Sequence, residues 1–83
     1  MENRVAMISI VVEDYSAAES VNALLHQFGQ YIIGRMGIPY RARKISLISV
    51  SIDAPGDQIS ALSGKLGMIP GASSKTVYAK IGA

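Results

Sequence analysis

Arg35 sits inside an apolar run, QYIIGRMGIPY, with Gly34 before it and Gly37 two residues later. A guanidinium in such surroundings is a fork of N–H donors for a carboxylate or a phosphate. The plainer alternative is an ion pair with Glu13 or Asp14 of a neighbouring subunit. Gly34 and Gly37 would let a ligand or another backbone come close, or would form a bulge and a turn. Glu13 and Asp14 follow the first apolar run and suit a cation or an amino group, although capping and solvation explain them as well. Ser9 and Ser49 supply hydroxyls on neighbouring strands that could share a ligand oxygen with Arg35. These seven residues form the candidate ligand site.

Other chemistry is weakly represented. The chain has no cysteine and one histidine, His26, so thiol catalysis, disulfides and a zinc finger are excluded and no metal site is expected. No Ser/His/Asp set has useful spacing. Gly64-Lys65 lacks the glycine pattern of a phosphate-binding loop. Arg41, Arg43 and Lys44 with Tyr40 make a short basic patch, which reads as a solvated hairpin tip. A net charge of +2 and no basic stripe argue against autonomous DNA binding.

The elements that must position these residues follow from periodicity. Residues 4–12, RVAMISIVV, form a strand with Ile8, Ile10 and Val12 on one side and Met7 and Val11 on the other. Ser16 and Glu19 have capping-box spacing, and Val21, Leu24, Leu25 and Phe28 fall on one helical face that Gly29 ends. Tyr31 to Met36 make a second strand, with Gly37 to Arg43 expected to hold the turn and Pro39 as its breaker. Residues 44–53 make a third. Pro55 and Asp57 suit the first turn of a second helix with the stripe Ile59, Leu62, Leu66 and Ile69. Residues 74–81 alternate, with Val77, Ala79 and Ile81 expected inward and Thr76, Tyr78 and Lys80 outward.

The order β-α-β-β-α-β predicts an α+β, ferredoxin-like fold. It has a four-stranded antiparallel sheet in the order 4-1-3-2, with two helices on one face. Because a charge avoids the covered core, parity would place Tyr31, Ile33 and Arg35 on the open face and Ile32, Gly34 and Met36 under the helices.

With 83 residues the chain suits one domain, residues 1–83. Its hydrophobic share of 49% exceeds what one small core needs, which predicts a homo-oligomer, dimer or tetramer. The first apolar run is too short to span a membrane, which takes about 20 residues. A cytoplasmic location is the default.

Four stretches, VVEDYSAAESVNALLHQF, YIIGRMGIPYR, ISVSIDAPGDQISALSGKLGMIPG and KTVYAK, together resemble the proposed regulators of the iron-only hydrogenase system. That family looks like an ACT-type domain and is similar to the C-terminal domain of nickel-responsive repressors. The resemblance implies a ferredoxin-like fold, a dimer or tetramer, and a regulatory role near [FeFe]-hydrogenase, with no particular cofactor. The repressors hold nickel with histidines and a cysteine. The matching region here reads GRMGIPYRARKIS and has neither. Their ribbon-helix-helix segment has no counterpart expected ahead of a strand that begins by Arg4. A non-catalytic module that senses a small ligand between subunits is the first expectation. A structural adaptor in hydrogenase maturation or expression, without a ligand, is the second. An enzyme that cleaves acyl phosphates would need a basic loop after the first strand, where this chain has VVEDYS.

Overall fold

A computed structural model describes residues 2–80. Its elements are β1 (Asn3–Val12), α1 (Tyr15–Gln27), β2 (Ile32–Tyr40), β3 (Ile45–Pro55), α2 (Gly56–Gly67) and β4 (Ala72–Tyr78). The strands form one antiparallel sheet in the order β2-β3-β1-β4, as predicted. The two helices cover one face.

The core lies between that face and the helices. Ala6, Ile8, Ile10 and Val12 of β1 and Ile48, Val50, Ile52 and Ala54 of β3 are buried against Val21, Leu24 and Leu25 of α1 and Ile59, Leu62 and Leu66 of α2. Strand alternation and the 3.6-residue helical period both deliver their apolar residues to this layer. No buried polar side chain is found among the described residues, so hydrophobic burial rather than a polar network holds the layers.

The start of α1 differs from the capping-box expectation. Asp14, in extended conformation, is the N-cap, and its carboxylate accepts the Ser16 N–H at 3.0 Å. Ser16 is therefore already inside the helix. The carboxylate one residue before Tyr15 reaches the free amides first. Helix α2 begins after Pro55 as expected, with Asp57 in its first turn.

Two strands depart from the expected parity. In β2, Ile32 pairs with Ile52 but Gly34 pairs with Ser51, so Ile33 is an extra, bulged residue. Residues directly opposite one another in a ladder share a face, and one inserted residue turns every later side chain over. Beyond the bulge, Arg35 pairs with buried Val50, while Met36 and Ile38 pair with Ser49 and Leu47 on the open side. Arg35 thus lies on the helix side and Met36 on the open face, the reverse of the expectation. Pro39 does not end β2, which runs on to Tyr40. The strand is a sheet edge, where a missing N–H is tolerated.

In β4, Thr76 and Tyr78 pair with buried Ile8 and Ala6. They therefore face the helices, while Val77 faces out. This too corrects the expected alternation; Ile81 lies outside the described residues. The physical reason is that the helix side of this edge strand is satisfied by hydroxyls and a ring. Ser63 of α2 and Thr76 share a hydrogen bond of 2.6 Å, and the Arg4 guanidinium lies 3.9 Å from the centroid of the Tyr78 ring.

Candidate functional site

The seven predicted site residues separate into four places. Ser9 and Ser49 are direct partners across β1 and β3, at the centre of the open face. Gly34 and Gly37 lie on β2, pairing with Ser51 and Ile48 and so on opposite faces of the sheet. Arg35 turns toward α1, where its Nη2 donates to Asn22 Oδ1 at 2.6 Å. It does not join Ser9 and Ser49, because the bulge puts the sheet between them. Glu13 and Asp14 occupy the β1–α1 turn, and the Glu13 N–H donates to the Gly71 carbonyl at 2.7 Å.

The parity changes remake the open face. Met7, Val11, Met36, Ile38, Leu47 and Val77 now share it, with Ser9, Ser49 and Ser51 among them. Met36, Ile38 and Val77 are 63, 51 and 62% exposed. A hydroxyl–sulfur contact of 3.0 Å between Ser51 and Met7 is one of its polar features. A shallow depression of about 190 Å³ lies on this face, walled by Val11, Met36, Ile38 and Leu47 with Ser9 and Ser49 at its base.

A second depression lies at the end of the molecule where the β1–α1 turn faces the β2–β3 hairpin. It encloses about 570 Å³ between Asp14, Tyr15 and Ala18 on one side and Tyr40, Arg41 and Lys44 on the other, over Val12 and Ile45. Arg41 to Arg43 form a single 3-10 turn closed by Lys44, whose N–H donates to the Arg41 carbonyl at 3.2 Å. The hydrogen bond from the Ser16 backbone N–H holds the Asp14 carboxyl below its ordinary pKa, so the opposite wall carries a negative charge at neutral pH. The hairpin patch was visible in the sequence as a basic run. Asp14 was a candidate as well, but that it and Tyr15 face this hairpin was not legible, because they lie in a different element. Tyr15 had one legible signal: an aromatic directly after an acidic N-cap, with Ala18 and Glu19 rather than a large apolar partner at helical spacing.

Among the described residues no group of three or more His, Cys, Asp or Glu side chains gathers as a metal site would require. No helix there is long and apolar enough to cross a membrane.

The profile of the TM1266-like family, described as "Iron-only hydrogenase system regulator, putative", matches residues 4–76. The chain belongs to this family. A solved structure of an uncharacterized protein, TM1266 from Thermotoga maritima, is similar over 95% of this chain and 100% of that one, at 41% identity and a TM-score of 0.92. The ACT domain from the GTP pyrophosphokinase of Chlorobium tepidum matches at 19% identity and a TM-score of 0.76, over 90% of this chain and 99% of that one. The C-terminal domain of MgtC from Mycobacterium tuberculosis matches at 13% identity and a TM-score of 0.73, over 93% and 88%. The last two establish the fold alone, an ACT-like ferredoxin arrangement. No curated protein sequence matches the chain.

Proposed function

We propose that the chain is a non-catalytic regulatory module of the iron-only hydrogenase system that works as a homo-oligomer joined through its open sheet face. A small ligand in the Ser9–Ser49 depression would bias that assembly. The observation that carries the reading is the run of exposed Met7, Met36, Ile38, Leu47 and Val77 on one surface of a small chain. A contiguous apolar surface of this kind marks an interaction site. Four strands about 4.8 Å apart and about 30 Å long present roughly 600 Å² in projection. Side-chain relief brings this near the ~800 Å² per partner of a standard interface. Asp53 and Lys75 bring opposite charges to the same face, so two copies can meet without strong repulsion.

The family assignment supports the regulatory part of this reading. Light scattering at micromolar concentration tests the assembly. A mass that is a multiple of 8.8 kDa supports the proposal, and a single 8.8 kDa species counts against it. A thermal-shift screen of small metabolites tests the sensing step, since a ligand bound to the folded state raises the melting temperature.

A further inference from the structure

We propose that the cleft between the β1–α1 turn and the β2–β3 hairpin is a binding site for a mononucleotide, with the phosphate held by Arg41 and Lys44 and the base lying against Tyr15. The cleft is built within one chain and shares no lining residue with the depression on the sheet face. Assembly and this site therefore stand or fall independently.

Three observations lead to this ligand class. The first is size. A cleft of about 570 Å³ falls within the range of small-molecule and cofactor sites, ~300–1,000 Å³. The second is the pairing of charge with aromatic surface. Arg41 and Lys44 are the two ends of one short turn, so a single anionic group can meet both. Neither takes part in a side-chain hydrogen bond among the described residues. Guanidinium and ammonium groups together suit a phosphate, the first through its fork and the second as a point charge. Across the cleft from these two cations Tyr15 is 88% exposed. A flat base offers such a ring a stacking partner.

The third observation is Asp14. Its carboxylate accepts one N–H, from Ser16, and retains further lone pairs. These can accept from a ribose hydroxyl or an exocyclic amine. The same negative charge disfavours a second anion at that end, so the ligand has one acidic end and one neutral end. A simple dicarboxylate or pyrophosphate fits this wall poorly.

The backbone at Lys44 agrees with a binding role. Lys44 has φ 56°, the only positive φ at a non-glycine position among the described residues. Glycine would suit this turn better. A lysine there holds a cation at the rim of the cleft at some cost in stability.

The test uses the intact chain and isothermal titration with AMP and GMP, each compared with inorganic phosphate, with adenosine and with a short single-stranded oligonucleotide. Saturable mononucleotide binding, at least tenfold tighter than either phosphate or adenosine alone, is expected. Arg41→Ala should weaken it about tenfold and Tyr15→Leu several-fold, with melting temperatures close to that of the parent. Lys44→Gly should raise the melting temperature and still weaken the nucleotide. No saturable binding of either mononucleotide at millimolar concentration overturns the proposal. So does affinity unchanged in both Arg41→Ala and Lys44→Gly. Tighter binding of the oligonucleotide than of the mononucleotides would assign the surface to nucleic acid and overturn the small-molecule reading.

Discussion

A Cβ built on Gly71 would lie 2.8 Å from the Cβ of Asp14 and 3.4 Å from that of Ala17. Gly71 also has φ +84°, where side chains are rarely accommodated. The turn before β4 is thus packed against the turn before α1, and the Glu13 N–H donates to the Gly71 carbonyl across the same junction. Gly71→Ala meets both a backbone penalty and a backbone-near clash. It should destabilise the fold by about 2 kcal/mol or more. Urea denaturation measures this, and a loss below about 0.5 kcal/mol would show that the junction relaxes freely.

Arg35 is expected to matter little to assembly. It lies on the helix side and bonds Asn22 at an exposed site. Exposed hydrogen bonds and surface charges contribute ~0–1 kcal/mol. Arg35→Ala should cost less than about 1 kcal/mol and leave the proposed assembly unchanged. A double-mutant cycle with Asn22→Ala should return a small favourable coupling. Loss of the oligomer in Arg35→Ala alone would restore Arg35 to the interface.

The contrast between Arg35 and Ile8 shows what a sequence makes legible. Ile8, Ile10 and Val12 repeat every second residue in a strand without interruption, so their common burial follows from period alone. Helical stripes such as Ile59, Leu62 and Leu66 are equally direct. Element order then yields the sheet order, because the ferredoxin-like connection admits few alternatives. Arg35 depends on the bulge at Ile33, one residue whose insertion leaves the composition of β2 unchanged. The orientation of β4 depends on a hydroxyl pair between Ser63 and Thr76, thirteen positions apart and in different elements. The cleft facing Arg41 and Lys44 depends on a turn more than twenty residues away in the chain. Long-range juxtapositions of this kind leave no local pattern.

Asp14 makes the stability depend on pH in a stated direction. Its carboxyl pKa is lowered in the folded chain, chiefly by the Ser16 backbone N–H and then by the Ser16 side chain. Its unfolded value is about 4. The folded state therefore binds fewer protons than the unfolded state in the acid range. The contribution is fully present above the unfolded value and disappears as pH falls through the folded one. Asp14→Asn keeps a capping oxygen but cannot titrate. Urea midpoints measured from about pH 5 down to about pH 2.5 should fall more steeply for the parent than for Asp14→Asn. Parallel curves would mean that the cap does not discriminate between the two protonation states.

Met36 and Ile33 provide the sharpest comparison on the sheet. Both are strongly exposed in the single chain, at 63 and 64%. They are three residues apart on the same edge strand. Met36 pairs with Ser49 and belongs to the open face, whereas Ile33 is the unpaired residue of the bulge. If exposure alone drove assembly, lysine at either position would weaken it equally. If the open face is the interface, Met36→Lys must desolvate an ammonium against the apolar surface of another copy, and burying an unpaired charge is strongly unfavourable. Ile33→Lys leaves its charge in water. Sedimentation or light scattering across a dilution series should show Met36→Lys shifted toward 8.8 kDa by at least tenfold in dissociation constant, with Ile33→Lys close to the parent. Circular dichroism should be the same for all three, because neither side chain contributes to the buried core. Equal weakening by the two substitutions would place the interface along the β2 edge. No effect of Met36→Lys would remove the open face from the assembly altogether.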